Sequence, residues 1–129
     1  MKNKIIVLIL VLILGFTFNS QVNSEDFIFE SDYIELKDNG NIIEARNGVK
    51  IITANNIEIT AKNSFYNKLN SKLLLKGEVI IFDKEKNLKI LSEETLYHKD
   101  TEQIITVGKT VAYIENKFTI TTKNLEYLK

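Results

Sequence analysis

Few side chains in this chain could do covalent or acid–base chemistry. Its 129 residues include one His, His98, one Arg, Arg46, and no Cys. His98 follows Tyr97 beside an expected turn. There it could serve as a general base, or simply end a strand in water. Glu93 and Glu94 could form an acid pair or a solvated strand end. No nucleophile or paired carboxylate stands at a corresponding place elsewhere in the chain. The lack of Cys removes disulfides, thiolate nucleophiles, iron–sulfur clusters and Cys-based zinc sites. A single His removes multi-His metal sites. These residues lead to the expectation of a chain that is not an enzyme and holds no cofactor and no metal.

Charge narrows the partners. Seventeen basic residues balance seventeen acidic ones, which argues against nucleic acid, since a phosphate backbone calls for a basic excess. A lone Arg also argues against a bidentate arginine code for phosphates or base edges. At 44% hydrophobic and 26% charged, the composition is that of a folded domain rather than a disordered chain.

The first 24 residues have the layout of a secretory signal peptide. Lys2 and Lys4 form a basic start, Ile5 to Phe16 an apolar run, and Val22-Asn23-Ser24 a cleavage site after Ser24. The other reading is a retained membrane anchor. The apolar run falls short of the roughly 20 residues that a spanning helix needs. The expected organisation is therefore a leader, 1–24, and one domain, 25–129, exported to the periplasm of a Gram-negative bacterium. Removal of the leader would leave 15 basic against 17 acidic residues.

The remainder repeats with a period near 30. Val49, Val79 and Val111, each just past a Gly, lie 30 and 32 residues apart. Upstream, Leu36, Tyr66, Tyr97 and Tyr127 are spaced by 30, 31 and 30. Downstream, Ile57, Leu88 and Phe118, and likewise Ile59, Ile90 and Ile120, fall 9 and 7 residues before the next tyrosine. Segments such as Ile57-Glu58-Ile59-Thr60-Ala61-Lys62 alternate apolar and polar residues with period 2, as strands do. Asn, Asp and Gly mark turns near 38–41, 54–56, 67–70, 83–87, 99–102 and 115–117. Gly48, Gly77 and Gly108 sit mid-strand, where an isolated Gly suggests a bulge or bend. The expected fold is all-β, elongated and antiparallel, with Ile51, Ile59, Val79, Ile81, Ile90, Val111 and Ile120 facing one apolar interior. Further columns, Ile43/Leu73/Ile105 and Ile51/Ile81/Tyr113, are expected to line it too.

The motif of an apolar pair, a strand-ending Tyr, a turn, an apolar pair, then Gly and Val stands here as Ile57-Glu58-Ile59-Thr60-Ala61-Lys62-Asn63-Ser64-Phe65-Tyr66, leading to Gly77-Glu78-Val79-Ile80-Ile81. It returns from Leu88-Lys89-Ile90 through Tyr97 to Gly108 and Val111. A weaker first copy is Ala45-Arg46-Asn47-Gly48-Val49, with Leu36 in place of Tyr. The pattern resembles the OstA-like family: the lipopolysaccharide-transport proteins LptA and LptC and the N-terminal domain of LptD.

The resemblance covers about residues 27–129. It implies an open β-jellyroll, a folded V of antiparallel strands whose apolar groove holds lipopolysaccharide acyl chains. The seven inward residues above would then line that groove. It further implies partners that are other Lpt-type jellyrolls joined through edge strands at both ends, self-association included. An LptA-like bridge and a detached LptD-type N-terminal domain both fit. An LptC-like protein would need residues 1–24 kept as an anchor.

Two rival readings come from other classes. One is a structural β-solenoid that polymerises end to end around a fully packed interior and binds no lipid. The other is a carbohydrate-active β-helix enzyme, which calls for acids or bases clustered on one face across several coils.

Overall fold

The structure is a computed structural model that describes residues 21–24 and 27–129. The expected leader lies outside the described residues apart from Gln21–Ser24, which pairs with 27–30 as an edge strand.

The described residues are all-β. Eleven strands form one antiparallel sheet. They are β1 (Gln21–Ser24), β2 (Phe27–Lys37), β3 (Ile42–Thr53), β4 (Glu58–Ala61), β5 (Asn63–Asn67), β6 (Lys72–Asp83), β7 (Leu88–His98), β8 (Gln103–Val107), β9 (Thr110–Ile114), β10 (Phe118–Thr122) and β11 (Glu126–Leu128). Turns fall in each of the six stretches where Asn, Asp and Gly cluster. Asp38, Asn39, Asn56 and Asn87 take positive φ there, a conformation that Asn and Asp accept more readily than other side chains.

The long strands cross a crease. In β3 and β6, buried and exposed residues alternate, stop for three residues, and resume on the same face. The interruptions are 46–48 in β3 and 76–78 in β6, and the third, 107–109, spans the last residue of β8 and the step to β9. Asn47 and Glu78 sit at positive φ within these breaks, and the pairing register shifts beside them. Three residues in place of one preserve the parity of the alternation while bending the strand, as a bulge does. The sheet thus divides into a first arm (27–31, 49–53, 58–61, 79–83, 88–92, 110–114, 118–122) and a second arm (33–37, 42–46, 63–67, 72–76, 94–98, 103–107, 126–128).

The inner faces of the arms pack on each other. Phe27, from the first arm, meets Tyr66 and Tyr97 of the second edge-on, with ring centroids 4.8 and 5.8 Å apart. At the tips, Asn55 of the first arm hydrogen-bonds Glu102 of the second. Cross-strand partners form continuous rows. In the first arm Phe29, Ile51, Ile59, Ile81, Ile90, Ala112 and Ile120 stand opposite one another in successive pairs. In the second arm the row is Leu36, Ile43, Tyr66, Leu73, Tyr97, Ile104 and Tyr127. Each fully buried member contributes about 2 kcal/mol by leaving water. These two rows hold the arms together.

Candidate ligand-binding site

Of the seven residues expected to face one interior, Ile51, Ile59, Val79, Ile81 and Ile90 are buried there. Ile120 is at the far end of the same row and is 42% exposed. Val111 is placed differently. Thr110 and Ala112 face in, and Val111 lies half-exposed on the outer face beside Ile80 and Leu91. The cause is where the valine stands after the break: Val49 and Val79 come first after theirs, whereas Val111 follows Thr110. Two residues past Gly77 comes Val79, and two past Gly108 comes Thr110, so aligning on the valine shifts the third segment by one. Because strand faces alternate, that slip reverses every side chain. The same slip moves Ile105 outward in favour of Ile104, and Tyr113 outward in favour of Ala112.

The interior is packed from Phe27 to Ile81, where Ile43, Ile51, Ile59 and Leu73 are inaccessible and only Leu36, at the β2 edge, is exposed. It opens at the end formed by β9, β10 and β11. A cavity of about 540 Å³ lies there between the arms. Leu88, Ile90, Ala112, Ile114 and Ile120 form one wall, and Leu125 and Tyr127 the other. Glu85, Lys86 and Glu115 stand at its rim. An apolar wall with a charged rim suits a ligand that has an apolar chain and a polar end. Ala112 contributes to the opening. It continues a row of four isoleucines with a side chain three carbons smaller, which leaves space where the row would otherwise fill it.

Polar contacts close this mouth on the β11 side. Asp83 ends β6 on the inner face and is 3% exposed. Its Oδ1 accepts hydrogen bonds from the Glu85 and Lys86 backbone N–H groups, at 3.1 and 3.2 Å. Its Oδ2 makes no hydrogen bond and has Lys129 Nζ at 3.9 Å. Lys86 Nζ lies 5.5 Å from the Tyr127 ring centroid. The Tyr127 hydroxyl beside it holds the Lys86 ammonium above its ordinary range.

Hydroxyl pairs span the crease. Ser92 and Thr95 hydrogen-bond at 2.6 Å, and Thr106 and Thr110 at 2.7 Å. Sequence reading missed this seam and the mouth residues Ala112, Ile114 and Leu125. The spacing from Gly77 to Val79 and Ile81, counted from Gly108, would have found Thr110 and Ala112.

The residues with chemical potential stay apart. His98 lies half-exposed at the end of β7, opposite Lys72 and Gln103. Glu94 pairs loosely with Lys76 at 3.9 Å, and Glu93 is exposed. Among the described residues no three His, Cys, Asp or Glu side chains are grouped to hold a metal ion. Tyr66 and Tyr97 are buried in the core, and only Tyr127 of that column reaches the mouth.

Comparison with protein-family models finds no match, and comparison with curated proteins finds none either.

Proposed function

We propose that this chain is an OstA-like β-jellyroll built on three and a half copies of a roughly 30-residue unit, and that it works in the periplasm as a lipopolysaccharide-binding component of the transport bridge to the outer membrane. The acyl chains would lie between the arms, and neighbouring jellyrolls would add strands at the sheet edges. The observation that carries this reading is the row from Phe29 to Ile120, an unbroken apolar face that ends in an open mouth. Burial of an acyl chain against such a face gains about 25 cal/mol per Å². The 33–37 stretch of β2 and the outer side of β10 supply the unpaired backbone that strand addition requires.

Photo-crosslinking in the native envelope tests it. A benzophenone side chain at Ile90 or Ile120 should yield a lipopolysaccharide adduct. The same probe at Lys89 or Thr119, on the outer face, should not. No adduct at either inward position in folded, exported protein would sink the lipid reading.

A structural β-solenoid that binds no lipid has one specific observation in its favour, the packed interior from Phe27 to Ile81. On that reading the crosslinks would go to protein at the sheet edges alone.

A further inference from the structure

The least supported element next to the mouth is β11. It is three residues long and pairs with β8 alone, through Glu126↔Ile105, Tyr127↔Ile104 and Leu128↔Gln103. Its root is well held. Thr106 donates its backbone N–H to the Leu125 carbonyl at 2.8 Å, the Leu125 N–H donates to Thr106 Oγ1 at 2.8 Å, and the Gly108 N–H donates to Asn124 Oδ1 at 3.2 Å. Its far end is held by long contacts, although the Lys129 side chain is largely buried there. The Lys129 N–H reaches the Glu102 carbonyl at 3.3 Å, and Lys129 Nζ approaches Asp83 only at 3.9 Å. A buried carboxylate oxygen with no hydrogen bond carries an unmet desolvation cost. Lifting β11 would let water reach Asp83 Oδ2, so part of the cost of opening is offset. Between root and tip, Tyr127 forms wall in the cavity.

We propose that Glu126–Lys129 is a displaceable strap, hinged at Asn124–Leu125 and latched by Lys129 on Asp83, which covers the mouth of the interior and lifts to admit a linear acyl chain. This rests on the reading of the interior as an acyl-chain site. Tyr127 then occupies, in the closed state, space that the chain takes in the open one. Apparent affinity is scaled by the open fraction.

The chain has no Cys, so a single engineered disulfide can lock the strap. Glu126 and Ile105 stand opposite each other on the outer face, a cross-strand spacing that a disulfide can bridge. In the Ile105→Cys/Glu126→Cys double variant, a dansylated fatty acid should bind at least about tenfold more weakly when oxidised than when reduced, following the open fraction. Lys129→Gln, which leaves the Asp83 turn intact, should tighten probe binding and speed amide exchange of Tyr127 and Lys129. Equal affinity in the oxidised and reduced forms would overturn the strap while leaving the acyl-chain site standing. So would Tyr127 and Lys129 amides that exchange as slowly as those of β7. Fast, disulfide-sensitive exchange with no probe bound in either form would instead overturn the acyl-chain site, and with it the strap as a gate.

Discussion

Ser92 and Thr95 share a 2.6 Å hydrogen bond across the crease of β7, whereas Ala61 and Ser64, one strand pair earlier and spaced alike, leave the buried Ser64 hydroxyl without a partner. The missing partner is an oxygen at position 61. Ala61→Ser should supply it and raise the unfolding free energy by about 1 kcal/mol, the usual net worth of such a bond. Urea unfolding of the two proteins measures it. A lower midpoint in the variant would mean that the residue 61 hydroxyl cannot reach Ser64.

The glycines of the crease should differ in what they tolerate. A Cβ on Gly77 would come within 2.9 Å of the Lys62 Cβ, at φ +81, whereas one on Gly108, at φ +86, meets nothing within 4 Å. Gly108→Ala should therefore cost only backbone strain, about 1 kcal/mol. Gly77→Ala should cost that and the clash together, on the order of 3 kcal/mol. Thermal or urea unfolding ranks them, and equal losses would contradict the close approach of Lys62.

The placement of Val111 is open to a direct check. Ile81→Ala removes a side chain buried between the arms and should lose about 2–5 kcal/mol. Val111→Ala, on the outer face, should lose under about 1 kcal/mol. Comparable losses at the two positions would restore Val111 to the interior.

Acid should expose the role of Glu44. Its carboxyl is held below the usual 4.5, first by the Arg46 guanidinium at 2.7 Å and then by the Lys37 ammonium at 3.1 Å. A lowered folded value means that the contribution is present above pH 4.5 and is lost as pH falls through the folded value. Wild type should exceed Glu44→Gln in stability at pH 7, and the gap should close on acidification below 4.5. Unfolding curves at stepped pH follow it. A gap that persists in strong acid would assign the effect to packing.

The strands and their turns were legible because this chain alternates cleanly and places Asn, Asp and Gly where strands reverse. Ile51, Ile59, Ile81 and Ile90 could be read as one face from period 2 alone. Val111, Ile105 and Tyr113 were misplaced because the breaks are equally long but the valine stands one position later after the third, so aligning on valines reversed the faces there. The packing of the interior at one end and its opening at the other was hidden as well. It depends on Phe27 and Phe29 meeting tyrosines far along the chain, and on Ala112 falling short of its neighbours. The Asp83–Lys129 contact joins residues 46 positions apart, which no local pattern reports.

The crease is not equally stiff along its length. β2, β3, β6 and β7 run through it as single strands, with one interruption among them where β4 gives way to β5, whereas at the far end β8 gives way to β9 and β10 to β11, so two successive strand paths are interrupted there. Bending stiffness should therefore fall from the β2 side toward the β10 side. The molecule would behave like a clothes-peg sprung at one end, with the largest angular excursions where the walls already stand apart, and an occupant would meet its lowest mechanical resistance on entering from that side.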